Sequence, residues 1–171
     1  MIICPLTNDE CPKLVSPKAK KVFVMSAKQM SKNLKEVKKK VFSALKKCGF
    51  QVVVGADLAG IGDYFCDICQ HIIGCPFGIV FFDYDMRPST LCNIFTEKGL
   101  MHGFGKPVIL FVNKISDLPS DFSRDFVVSL ENKKYIQKFR KMINKIKYLQ
   151  KYYFDIGDIA MDAGDFEKTS R

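Results

Sequence analysis

Residues 77–112 read FGIVFFDYDMRPSTLCNIFTEKGLMHGFGKPVILFV, and the order of textures along this stretch decides the fold. Residues 77–82 are a continuous apolar run of strand length, 83–89 are polar and contain a proline, and 90–103 have helix length and end on glycine. Residues 107–112 are a second apolar run. An apolar run without alternation is a strand buried on both faces, and two such runs joined through a helix make a parallel β-α-β unit.

The same alternation continues outward. Upstream, 22–25 are a short apolar strand, and Leu34, Val37, Val41, Leu45 and Cys48 follow at helical spacing with lysines between them and Gly49 as the stop. Residues 50–54 read as a second strand and 55–62 as a glycine-containing loop, with Asp63 placed to cap a helix that runs to about Gly74. Downstream, 126–130 give a short fifth strand, and Tyr135, Ile136, Phe139, Met142, Ile143, Ile146 and Leu149 mark a long last helix. Residues 155–171 are acidic and show no regular period, which predicts a poorly packed tail. The expected fold class is α/β: a flavodoxin-like three-layer sandwich with a parallel sheet of four to five strands in the order 2-1-3-4-5 and helices on both faces. The chain divides into an N-terminal extension (1–20), the α/β domain (21–153) and an acidic C-terminal tail (154–171).

The chain has 171 residues, 47% of them hydrophobic, enough for one packed core. Its longest apolar runs are strand-sized, well short of the roughly 20 residues a membrane span needs, so no membrane partner is expected. The first residues lack a basic segment followed by an apolar one, and the expected location is the cytoplasm. The formal charge of +9 raises the question of nucleic acid. The basic residues, however, gather in 28–47 and 133–151, on two helices whose other faces are apolar, and the basic stripes lack interleaved aromatics. Solvated lysine faces account for them, and nucleic acid is not an expected partner.

Seven cysteines without an export signal argue for reduced thiols or metal ligation. Cys66 and Cys69 stand three apart on a helix, and Cys4 and Cys11 bracket a turn-prone loop in the N-terminal extension. Together these four could close a tetrahedral, purely structural zinc site; the competing reading packs Cys66 and Cys69 as small hydrophobes.

In a sheet of this kind ligands bind beyond the carboxyl ends of the strands, which selects the loops 26–31, 55–63, 83–90 and 113–123. Asp57 and Asp63 lie in one of them, Asp83 and Asp85 in another, and Glu97 on the helix that leaves the latter. Carboxylates in such a place can ligate a metal, take up protons, hold sugar hydroxyls or attack a sugar carbon, and residue type alone does not choose.

Residues 93–110, Asn93 through Glu97 to Gly105-Lys106-Pro107 and the strand beyond, resemble the glutamate-bearing helix and following strand of nucleoside 2-deoxyribosyltransferase-like proteins. The helix is also similar to that of TIR domains, with Ser89, Cys92 and Glu97 in roughly matching places. The resemblance implies chemistry at an N-glycosidic bond of a nucleoside, nucleotide or NAD, with Glu97 as nucleophile or oxocarbenium stabiliser. It further implies Asp83 or Asp85 on the sugar hydroxyls, and Ser89, Thr90 and nearby helix amides on a phosphate, while Ser26, Asp57 and Asn93 complete the substrate-binding set. A place near the helix N-terminus would favour the ionised form of Glu97. His102 is expected to be packed. No cofactor is expected for catalysis, and self-association as a homo-oligomer is, by the same likeness. Ser26-Ala27-Lys28-Gln29 departs from the family's glycine- or proline-aromatic turn after the first strand, and Lys98 replaces an apolar residue. The enzyme is the leading reading, and these departures keep open the alternative of a non-catalytic TIR-like nucleotide-binding or signalling module. Ser26 and Ala27 also stand where a response-regulator receiver would need acidic residues.

Overall fold

The computed structural model describes residues 4, 7–11, 20–58, 64–118, 122 and 126–162, with side chains up to 148 apart from that of Tyr64. Five strands, β1 (Lys21–Ser26), β2 (Gln51–Val54), β3 (Gly78–Phe82), β4 (Val108–Val112) and β5 (Phe126–Ser129), alternate with helices α1 (Lys32–Lys47), α2 (Tyr64–Gly74), α3 (Pro88–Gly103) and α4 (Tyr135–Asp162). All strand pairings are parallel, and the order is β2-β1-β3-β4-β5. This is the expected flavodoxin-like sheet, with its switch in strand order beside β1 and β3.

Strand periodicity divides the core into two layers. Val22, Val24, Ile79, Phe81, Ile109 and Phe111 point to one face, where α1 and α4 cover them with Leu34, Val41, Phe139 and Ile143. Phe23, Met25, Val80, Phe82, Leu110 and Val112 point to the other, against Ile68 and Ile72 of α2 and Ile94 and Met101 of α3. Successive residues of β1, β3 and β4 thus face opposite layers, so the runs had to be apolar throughout. β2, at the edge, is only half-buried.

Several local devices fix the loops. Gly49 closes α1 with a φ of +79°, a conformation that only glycine adopts freely, and donates to the Lys46 carbonyl. The N-terminus of α1 has no side-chain cap from Ser31. Instead the Ser31 N–H donates to Asp83 Oδ2 at 2.8 Å, 52 residues away in sequence. At the far end of α2 the Lys106 ammonium donates to the carbonyls of Ile72 (2.9 Å), Ile73 and Cys75 (2.7 Å).

Two expectations are corrected. α3 begins at Pro88 rather than residue 90, because proline at the first helical position has a suitable φ and no amide to leave unpaired. α4 continues to Asp162, so the backbone of 155–162 is helical where an irregular tail is predicted; extending a formed helix fixes one residue per added hydrogen bond and does not require an apolar stripe. Asp63, read as a cap, and residues 163–171 lie outside the described residues.

Candidate functional site

The carboxyl ends of β1 and β3, the turn after β2 and the first turns of α3 surround a cleft of about 520 Å³, within the size range of small-ligand sites. Glu97 lies on its wall, together with Ser26, Gln29, Asp85, Arg87 and Asn93. Glu97 is only 7% exposed, and no hydrogen-bond donor reaches its carboxylate among the described residues. Burial alone therefore pushes it up from 4.5 to about 7. This corrects the expected effect of the helix N-terminus: with α3 starting at Pro88, Glu97 is nearly three turns in, beyond the reach of the terminal amides, and desolvation prevails.

Space for that carboxylate is made by Gly55, the buried first residue of a short turn after β2. A Cβ there would stand 3.0 Å from Glu97 Oε1, 3.1 Å from Oε2 and 3.0 Å from Phe23 Cζ. Phe23 is fully buried and has little room to give. Gly55→Ala should therefore drive the Glu97 side chain into the cleft and destabilise the fold by about 1–3 kcal/mol, the range for overpacking a tight site. Denaturant unfolding of the variant checks this, and an unchanged midpoint would show that Glu97 does not rest on Gly55.

The other anticipated residues divide. Asp85, Thr90, Asn93 and Ser26 line the cleft with Glu97. Asp83 is 7% exposed and committed to the Ser31 amide, so it joins a loop to a helix and does not face the cleft. Ser89 is exposed and absent from the cleft wall. Asp57 lies on an adjoining groove, described below. Ser26 accepts a hydrogen bond from Lys38 Nζ at 2.7 Å. His102 is exposed rather than packed. Lys28, Gln29, Ala56, Met86 and Arg87 also line the cleft; they come from three of the loops selected in the sequence, but none was singled out as a site residue because only the fold brings those loops together.

Cys4, Cys11, Cys66 and Cys69 do come together. Burial raises the Cys69 thiol first, and the neighbouring Cys11, Cys4 and Cys66 raise it further. The Cys4 amide donates to the Asp9 carbonyl at 2.7 Å, closing the turn that carries Cys11. Among the described residues, however, no group of three or more His, Cys, Asp or Glu side chains is arranged to hold a metal ion.

Fold and site together define a flavodoxin-like α/β domain with a buried glutamate at the switch point of its sheet that has no hydrogen-bond partner among the described residues. Within that class the architecture is TIR-like: it is similar to the TIR domain of the Toll-related receptor TRR-2 from Hydra magnipapillata, with a TM-score of 0.53 and 18% sequence identity, over 74% of this chain and 97% of that one. At that identity the likeness is one of fold. It agrees with the TIR-like half of the resemblance and lends nothing to the deoxyribosyltransferase half. The chain matches no protein-family model and no curated protein by sequence. No helix among the described residues is long and apolar enough to cross a membrane.

Proposed function

We propose that this chain is a TIR-like nucleotide-binding module whose cleft receives the sugar of a nucleotide against Glu97. The observation that carries the reading is the Glu97 carboxylate itself, 7% exposed with no donor in reach among the described residues. An ionisable group buried without a partner costs stability, and such groups concentrate where a ligand supplies the missing contacts. Ribose hydroxyls are donors of the right kind, and a cleft of about 520 Å³ can take a nucleoside moiety.

A second reading, cleavage of the N-glycosidic bond, is favoured by the same absence of a donor to the carboxylate among the described residues. With no hydrogen bond to spread its charge, ionised Glu97 is well suited to stabilise an oxocarbenium-like centre or to bond with it. Asp85 and Asn93, exposed on the same wall, are placed to hold hydroxyls while Glu97 faces the anomeric carbon.

Both readings are tested by incubating the protein and Glu97→Gln with NAD and a panel of nucleosides and nucleotides, following free base by chromatography and binding by calorimetry. Saturable binding without base release supports the module. Base release that disappears in the variant supports cleavage, and absence of both overturns the proposal. If cleavage occurs, kcat/KM should rise with pH through about 7 as Glu97 loses its proton. A rate that is flat from pH 5.5 to 8.5 would exclude Glu97 as the reacting carboxylate.

A further inference from the structure

A second groove, of about 470 Å³, opens beside the Glu97 cleft and shares Ser26, Ala27, Lys28 and Ala56 with it. Its far wall is α1, which contributes Lys35, Lys38 and Lys39. Positions i, i+3 and i+4 of a helix fall on one face, so these three lysines line one space together with Lys28. Among the described lining residues Asp57 is the only acidic one, so they carry four positive charges against one negative, a net of +3. The described lining of the Glu97 cleft instead mixes Lys28 and Arg87 with Asp85 and Glu97.

Lys38 is the fixed member of the set. It is half-buried, donates to Ser26 Oγ at 2.7 Å and lies 5.4 Å from the centroid of the Phe42 ring. Burial pulls its ammonium downward and the Asp57 carboxylate opposes this. Lys35 and Lys39 are exposed, and among the described lining residues of the groove Asp57 is their one candidate counter-ion. Solvation alone would explain lysines spread around a helix. It does not explain three of them lining a concavity that runs into the cleft below Glu97.

We propose that this groove is an anion subsite of the same site and takes the phosphate chain of a nucleoside diphosphate or dinucleotide whose sugar lies at Glu97. The inference rests on the nucleotide-binding reading above and narrows its ligand class, excluding free nucleosides as the preferred ligands. Lysine ammonium groups act on phosphate as point charges with freely rotating donors, suited to a chain whose oxygens lie at several angles. Ser26, at the junction of the two spaces, orients Lys38 and sets where the first phosphate meets the sugar.

The test is calorimetry at low ionic strength with adenosine, AMP, ADP and inorganic pyrophosphate, on the unmodified protein and on the double variant Lys35→Gln/Lys39→Gln. Both positions are exposed, so the fold should tolerate the change. A second double variant, Lys133→Gln/Lys134→Gln, removes the same charge at exposed positions outside the groove. Affinity should rise from adenosine to AMP to ADP. The groove variant should weaken ADP and pyrophosphate roughly tenfold or more while leaving adenosine unchanged, given that about 1.4 kcal/mol of lost charged contact is tenfold. The control variant should change none of them by more than about twofold. ADP binding unaffected by the groove variant would overturn the subsite and leave the Glu97 reading standing. Pyrophosphate binding lost in the groove variant, with ADP no tighter than pyrophosphate, would separate the lysines from the sugar site and overturn the proposal from the other side.

Discussion

Glu97→Gln is expected to make the folded protein more stable by about 3 kcal/mol at pH 8, with the gain disappearing below about pH 4.5. Burial holds the Glu97 proton to about pH 7 instead of the ordinary 4.5, and each tenfold in proton affinity is about 1.4 kcal/mol. Between those two values the folded chain keeps a proton that the unfolded chain has released, so stability falls as pH rises through the window. Above pH 7 the folded chain carries an ionised carboxylate without a donor, at full cost. Glutamine has the shape of the protonated acid and never ionises. Variant and parent should therefore coincide in acid and part at neutral pH. Denaturant unfolding at pH 4.5, 6, 7 and 8 reads the difference directly. Equal stability at pH 8 would mean that a donor satisfies the carboxylate and that it is not held ready for a ligand. The same substitution should weaken ligand binding, or remove turnover if the site cleaves. A stability gain paired with a functional loss marks a residue kept for a ligand rather than for the fold.

The sheet was legible because β1, β3 and β4 are buried on both faces, leaving no polar residue within their apolar runs until Ser26. The helix patterns were clear for α1, whose apolar residues form one stripe among lysines. They were weaker for α3, where Glu97 and Lys98 are both buried. Glu97 was found by likeness, and its environment was misjudged. Its carboxylate rests against Gly55, from the turn after β2, and a residue's desolvation depends on such distant partners. Asp83 shows the same limit. Its partner, the Ser31 amide, is 52 residues away, and an aspartate at a strand end looks identical whether it faces a ligand or ties two loops together. Lys98 replaces an apolar residue of the resembling family, and its ammonium lies 4.0 Å from the centroid of the Phe122 ring. The position therefore keeps an aromatic neighbour, now engaged through cation–π attraction. The lysine groove was hidden for another reason: the helical face that makes lysines look solvated is also the face that folds over the β1 loop.

Lys106→Met should destabilise the protein by about 3 kcal/mol at pH 7, roughly 9 °C in melting temperature at about 3 °C per kcal/mol for a domain of this size. The Gly105-Lys106-Pro107 segment looks like a functional motif in the sequence, yet the structure gives its lysine a purely architectural task. The last carbonyls of a helix have no intrahelical donor, and here Ile72, Ile73 and Cys75 all turn theirs toward one ammonium. A hydrogen bond to a charged group contributes about 1.5–3 kcal/mol when its loss strands a buried partner. Three such bonds sharing one cation, partly open to water, bring the total to about 3. The partial burial lowers the Lys106 ammonium to about 8, so at pH 7 it still carries its proton and the comparison is made with the cap intact. Methionine keeps the length and apolar stem but offers no donor, which isolates the cap from packing. The loss should appear first at the end of α2, as faster hydrogen exchange in residues 70–75, because the sheet itself is undisturbed. A variant with unchanged melting and unchanged exchange there would show that water can cap α2 equally well. Lys106 would then be open to a role in ligand binding after all, even though it stands outside both spaces that meet at Ser26.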